Sequence, residues 1–562
     1  MRAVISLTRQ GLSRGCLRRL ALATAGFALL TPQGSLAQGV APAVSLTQGV
    51  VRGSREGPVE FFRGLPYAAP PVGDLRWRAP GPPPSWIGVR EARDFGPSCM
   101  QLPFAGSEAP LRAAPSEDCL YLNVWRPAGR GKPAPVLVWI HGGGYVYGGT
   151  SPAAFDGAGF ARDGLVVVSL AYRLGRFGFF AHPALAASGE GPSGNWGFMD
   201  QQAALRWVQA NIGRFGGDPT QVTVMGESAG GGSVLALLGS PSARGLFHRA
   251  VIMSGGGRAL TPARELRRDQ PGVPSAETIG RNFAARHGIE GQDAEALRRL
   301  RALPAAIVAE GVGFADLFRP QPGLPTYAGP FVDGDTLTSG GFPAAPADVP
   351  VMVGATSADL GSVPGATKDE VFALFGADRD RARALYDPSG DLSVASVARA
   401  VGGDRQMVEP ARHIAQQAAR RGHRAYHYRF SYVAESRRPD APAGAPHATD
   451  VAFAFDTLPA RYGAKVTPRD AAVATAFHRY IANFARTGDP NGRGLVAWPP
   501  ADLSAHDVID FTAEGQVRFG PDPWRERLDL VGAHAPGAAQ TADAADRHNS
   551  PPHAGNSKGG DR

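Results

Sequence analysis

The chain is predicted to be an α/β protein with a large, mostly parallel central sheet covered by helices on both faces. Three observations carry that expectation. Strand-like runs alternate with helical ones along the chain. Two of the runs, Val136 to Ile140 (VLVWI) and Leu165 to Leu170 (LVVVSL), are apolar on both faces, which suits strands in the interior of such a sheet. A third, Gln221 to Met225, passes through a glycine-flanked serine into a small-residue helix, a strand–turn–helix order found at the carboxyl edge of such sheets.

Residues 1–37 stand apart from this pattern. Arg2, Arg9, Arg14, Arg18 and Arg19 precede the apolar run Leu20 to Leu30, and Ser35-Leu36-Ala37 follows it. That is the order of a secretory signal peptide cleaved after Ala37, and it places the mature chain in the periplasm or outside the cell. The apolar core is too short for a permanent membrane anchor. Arg18-Arg19 leaves twin-arginine export open beside the general route. Without the five leader arginines the formal charge falls from +8 to +3, a nearly balanced surface that gives no reason to expect a nucleic-acid partner.

Three cysteines occur, and Cys16 leaves with the leader. An even pair, Cys99 and Cys119, in an exported chain points to one disulfide, the alternative being two separate buried thiols. With no linker, repeat or charge block to divide it, the remainder reads as a single domain over residues 38–531. From Gly532 the aromatics vanish and Ala, Gly, Pro, Asp and His take over, as expected of a disordered polar tail over 532–562.

Within the domain, the strand VLVWI runs directly into His141-Gly142-Gly143-Gly144-Tyr145. Consecutive glycines leave the backbone bare, so peptide N–H groups can point into a site and stabilise an oxyanion. The loop lacks the lysine and spacing of phosphate-binding loops. Asp200 is placed to cap a helix whose Leu205, Val208 and Ile212 recur at helical spacing, with Gly216-Gly217 as its stop. Val222 to Met225 then forms a strand, Gly226-Glu227-Ser228-Ala229-Gly230 a tight turn, and Ser233 to Leu238 a helix. A serine hydroxyl is a weak nucleophile unless its backbone holds it exposed beside a base, and this turn does so. Glycine abundance makes the five-residue pattern cheap: Gly11 to Gly15 and Gly555 to Gly559 also fit it, but in a basic leader and a polar tail. Only Ser228 has the strand and helix around it. Further on, Val351 to Val353 extends the sheet.

Several segments in order carry a resemblance: FRGLPYAAPPVGDLRWRAP (Phe62 to Pro80), EDCLYLNVW (Glu117 to Trp125), HGGGY, AYRLGRFGFF (Ala171 to Phe180), GNWGFMDQ (Gly194 to Gln201), NIGRFGGDP (Asn211 to Pro219) and GESAG. Together they resemble the type B carboxylesterase and cholinesterase family of α/β-hydrolases. The resemblance implies that fold, with helical insertions forming the pocket walls. It also implies Ser228 as nucleophile, Gly143, Gly144 and the Ala229 amide as oxyanion donors, and a Cys99–Cys119 bridge. In these hydrolases the acid and then the histidine follow the serine along the chain. Asp359, after the strand Val349 to Gly354, matches the acid position, where the family usually has glutamate. Its shorter side chain requires the loop to sit closer to the imidazole. Asp333 is the nearest rival, in a segment resembling a structural landmark.

Six histidines compete as base: His413, His423, His427, His447, His478 and His506. His447, in GAPHATDVAFAF, matches the family segment, with Asp450 where glutamate is commoner. Glu227 either places a negative charge near the site or satisfies turn amides, and Ser254 resembles a family serine near the acid. The implied activity is hydrolysis of small-molecule esters through an acyl-enzyme, requiring no cofactor or metal. Amide, lactone, thioester or polyester hydrolysis on the same apparatus is the near alternative, and a non-catalytic binding relative the distant one.

Overall fold

The computed structural model describes residues 41–106, 110–129, 131–192, 194–258, 262–318, 323–502 and 506–536. The expected leader lies outside them, as do the two decoy serine patterns and the tail beyond residue 536.

Eleven strands form one sheet among the described residues. In chain order they are β1 (Ser54–Glu56), β2 (Val59–Pro66), β3 (Tyr121–Pro127), β4 (Ala134–Ile140), β5 (Val166–Leu170), β6 (Gly217–Glu227), β7 (Arg249–Met253), β8 (Val351–Thr356), β9 (Ala425–Phe430), β10 (Asp507–Phe511) and β11 (Val517–Pro521). Their order in space is β1-β2-β3-β5-β4-β6-β7-β8-β9-β10-β11. From β5 through β10 every pairing is parallel, while β1, β2, β3 and β11 join antiparallel at the two sides.

Strict alternation explains why these strands read as unbroken apolar runs. Val136, Val138, Ile140, Val222, Val224, Ile252 and Val353 pack into one core, and Leu137, Trp139, Met225, Val251, Met253 and Met352 into the other. Both faces are covered, so both sets of alternate positions are mostly apolar, and the few polar members such as Ser169 and Thr223 are buried as well. The first core is closed by helices α1 (Trp196–Asn211), α2 (Ala229–Gly239) and α3 (Glu409–Arg420) through Leu205, Val234 and Ile414. The second is closed by α4 (Asp450–Ala454), α5 (Leu458–Tyr462) and α6 (Pro468–Thr487) through Phe453, Leu458, Phe477 and Ile481. At roughly 25 cal/mol per Å² of apolar surface, a fully buried phenylalanine or leucine contributes on the order of 2 kcal/mol, so the two layers dominate the stability.

Three local expectations need correction. Asp200 does not cap α1: the helix begins at Trp196, Asn195 holds the cap position at φ 48°, and Asp200 lies inside it, fully buried. Its carboxylate accepts from Arg173 Nε at 2.8 Å, Arg173 Nη2 at 2.7 Å and the Arg173 amide at 3.0 Å. A buried arginine needs this bidentate partner more than a helix end needs a cap. The α-helix also stops at Asn211, four residues of 3₁₀ helix intervene, and only then does Gly216 turn left-handed at φ 81°. At the far end, helix α7 (Arg525–Ala533) runs past the boundary expected at residue 532, with Leu528, Leu530 and Val531 buried.

Cys99 and Cys119 form a disulfide, 20 residues apart in sequence. Reducing it is expected to lower unfolding stability by about 3 kcal/mol, the chain-entropy value for a loop of that length. Chemical denaturation with and without reductant measures this.

Candidate active site

Five parallel strands deliver the site at their carboxyl ends. The loop after β4 brings the glycines, the end of β6 brings Glu227 and Ser228, the end of β7 brings Ser254, and the loops after β8 and β9 bring Asp359 and His447. In an open parallel sheet this edge is where loops converge on a shared crevice.

Ser228 sits between β6 and α2 at φ 58°, ψ −122°, a conformation L residues rarely adopt. Glycines make that turn physically possible. A Cβ on Gly226 would lie 2.3 Å from the Gly230 carbonyl oxygen, and one on Gly230 would lie 2.1 Å from the Ile140 oxygen. The Ser228 amide donates to Met253 O at 2.9 Å, and the Gly232 amide donates to Ser228 O at 2.8 Å. The hydroxyl is therefore aimed by backbone on both sides.

His447 Nε2 lies 2.9 Å from Ser228 Oγ, and His447 Nδ1 lies 2.5 Å from Asp359 Oδ1. Asp359 is buried and accepts three further bonds: from Ser254 Oγ at 2.6 Å, the Thr356 amide at 2.9 Å and the Leu360 amide at 2.7 Å. Burial pushes its pKa up, but His447, Ser254 and Leu360 outweigh it and hold the carboxyl below its usual value. The acid and base loops are stitched together: the Ala358 amide donates to Ala445 O at 2.9 Å, and the Ala445 amide to Ser357 Oγ at 2.9 Å. Gly403 lets the neighbouring helix press on Asp359, whose carbonyl oxygen would lie 2.8 Å from a Cβ there.

Two further carboxyls surround the imidazole. Among the described residues no turn amide donates to Glu227, whose Oε1 lacks a hydrogen-bond donor and lies 3.2 Å from His447 Nε2. Asp450 is fully buried, and its Oδ2 accepts from Tyr428 Oη at 3.1 Å. Burial is the main cause that raises Glu227 to about 7, and with Asp359 it raises Asp450 to about 7. For His447 burial lowers the pKa, but Glu227 and Asp359 overcome it and raise the group to about 9.

The glycine loop lies against the serine. A Cβ on Gly142 would be 2.9 Å from Ser228 Cβ, and Gly143 and Gly144 are left-handed at φ 104° and 61°. Among the described residues the amides of Gly143, Gly144 and Ala229 donate no backbone hydrogen bond.

The rival residues have other partners. Asp333 accepts from Asn195 Nδ2 at 2.9 Å and from the amides of Asp335, Thr336 and Leu337. His478 stacks on Phe160 with ring centroids 4.1 Å apart, His423 pairs with Asp348, His506 with Gln416, and burial holds His413 and His427 to about 3 and about 4.

Sequence reasoning missed the aromatic wall beside the glycine loop. The 3₁₀ turn Phe314–Phe318 places Leu317 against Gly144, where an added Cβ would meet its Cδ1 at 2.4 Å. Phe104 packs on Phe314 and Tyr147 with centroids 4.9 and 5.6 Å apart. The turn lies some 200 residues downstream of Phe104, and no periodicity links the two.

The family model described as "Carboxylesterase family" matches residues 40–387 and 387–522. The chain belongs to the carboxylesterase family. Among its relatives are a fumonisin B1 esterase of Sphingopyxis macrogoltabida, 41% identical over 55% of this chain and 54% of that protein. A medium-chain fatty acyl-CoA hydrolase precursor of Anas platyrhynchos is 34% identical over 88% of this chain and 93% of that one. Acetylcholinesterase of Bungarus fasciatus is 34% identical over 84% and 83%. The match thus covers about half the length of the first relative and nearly all of the second. As a carboxylesterase-family enzyme with a mixed, mostly parallel sheet, the chain has the α/β-hydrolase architecture.

Proposed function

We propose that this carboxylesterase hydrolyses small-molecule esters through an acyl-enzyme on Ser228, with His447 as general base and Asp359 as its orienting acid. One observation carries the reading: a single imidazole lies within hydrogen-bonding reach of a strained, backbone-aimed serine on one nitrogen and a buried carboxylate on the other. Asp359 accepts from Nδ1–H, which leaves Nε2 free to take the hydroxyl proton as Oγ attacks the carbonyl carbon. The tetrahedral oxyanion is held by the amides of Gly143, Gly144 and Ala229. His447 then protonates the leaving alcohol, and water repeats the sequence to release the acid. Glu227 Oε1 faces the nitrogen that becomes protonated, so its charge favours the imidazolium formed in the transition state over the neutral resting ring. Ser254 fixes Asp359 from behind.

Phe104, Tyr147, Phe314 and Leu317 support an ester with an apolar group next to the carbonyl. Export through residues 1–37, a hydrolase domain from residue 38 to the end of α7 and a polar tail after it complete the proposal. The disulfide fits an oxidising compartment, and among the described residues no helix is long and apolar enough to cross a membrane. The test is a fluorophosphonate label mapped by mass spectrometry, with a panel of esters, thioesters, lactones and amides graded in acyl size. Labelling at Ser228 with esters turned over fastest supports the reading. A label on another serine refutes it.

The electrostatics give a separate expectation. The base must be neutral, and the two carboxylates raise its pKa, so the acid limb of kcat/KM falls above the ordinary histidine value of about 6.5. Glu227→Gln removes one raising charge and moves the limb to lower pH. A pH–rate profile of both enzymes measures the displacement, and a shift in the opposite direction would contradict the assigned role of Glu227.

A further inference from the structure

We infer that Arg461 is a positioning residue for His447, an assignment that rests on the reading of His447 as the base. His447 stands second in the four-residue turn Pro446 to Thr449, closed by the Thr449 amide donating to Pro446 O at 3.1 Å. Ala448, third in that turn, has φ 62°. A left-handed third position suits glycine, because a Cβ there crowds the backbone, so this turn does not hold its shape by local preference. It is held from outside. Before the histidine, the two bonds between Ala445 and the acid loop fix the chain. After it, Arg461 Nη1 donates to Ala448 O at 2.9 Å.

Arg461 belongs to α5, which is anchored in the second core by Leu458. Its guanidinium lies over the Tyr462 ring at 5.5 Å. A cavity of about 150 Å³, lined by Pro446, His447, Thr449, Arg461 and Tyr462 among others, adjoins the turn, so the Ala448 peptide has room to relax once the arginine is removed. The cation also acts at a distance on Glu227, lowering that carboxyl's pKa. Around the imidazole the charged groups are therefore Glu227, Asp359 and Asp450, with Arg461 the cation set against Glu227. Arg461 thus holds the peptide following the base while helping to keep Glu227 ionised.

The test compares Arg461→Ala and Arg461→Met, alone and combined with Ala448→Gly, using kcat per active site counted by fluorophosphonate titration. Arg461→Met retains the apolar stem, so it serves if the alanine variant folds poorly. Each single variant is expected to lose about 10- to 100-fold in kcat with KM within about twofold, the scale at which sub-ångström misplacement of a catalytic group is felt. Ala448→Gly, which removes the crowding at φ 62°, is expected to restore most of the loss in the double variant. An arginine that merely stabilises the fold would reduce the number of titratable sites while leaving kcat per site unchanged. Overturning results are a kcat per site within twofold of wild type in Arg461→Met, or a loss that Ala448→Gly leaves untouched. Wild-type enzyme titrating on a serine other than Ser228 would instead overturn the catalytic reading beneath this one.

Discussion

Ser228→Ala is expected to lower kcat by on the order of 10⁶-fold while leaving the thermal transition in place. The size follows from removing the one atom of the proposed triad that would form a bond to substrate. Where such a serine is removed from a comparable triad, the residual rate comes from binding and oxyanion stabilisation alone. Stability should survive because the turn is held by main chain rather than by the hydroxyl. The Ser228 amide and carbonyl are bonded to Met253 and Gly232, Gly226 and Gly230 supply the close approach, and alanine carries the same Cβ at φ 58°. Steady-state hydrolysis of an activated ester, with a melting curve on the same sample, separates the two effects. A variant that keeps a tenth of the activity would remove Ser228 from the chemistry.

What the sequence disclosed and what it hid divide along a physical line. The central strands were legible because burial on both faces favours apolar residues at nearly every position, and Val136 to Ile140 has no polar member to confuse the pattern. The turn at Ser228 was legible because glycines at 226 and 230 are required by contacts closer than any Cβ permits. Asp200 was misread because a helix cap and a buried ion-pair partner look alike in one dimension; only the position of Arg173, 27 residues earlier, separates them. Phe104 and Phe314 meet across 210 residues, and no local pattern announces that. Arg461 was invisible for a related reason: its contact is with a backbone carbonyl, and a backbone carbonyl is present whatever residue occupies position 448.

Asp359→Asn is expected to reduce kcat by about 10⁴-fold, the scale seen when a triad acid loses its charge without losing its shape. Asp359 Oδ1 receives His447 Nδ1–H and the Leu360 amide, and Oδ2 receives the Ser254 hydroxyl and the Thr356 amide, so all four partners donate. An asparagine offers one acceptor oxygen and one NH₂ group. If the NH₂ takes the Oδ1 side, it confronts the imidazole and forces the tautomer that cannot accept from Ser228 Oγ. If it takes the Oδ2 side, the tautomer survives, but the NH₂ meets the Thr356 amide N–H and the imidazolium still loses its buried counter-charge. Either way the rate falls, and because Asp359 contributes to raising His447, the acid limb of the pH profile should move down as well. Glu227 faces the other ring nitrogen and Asp450 is bonded to Tyr428, so neither is placed to receive Nδ1–H. Single-turnover acylation across pH in the asparagine variant reads both consequences, and a near-wild-type rate with an unmoved limb would transfer the role of the acid to another carboxylate.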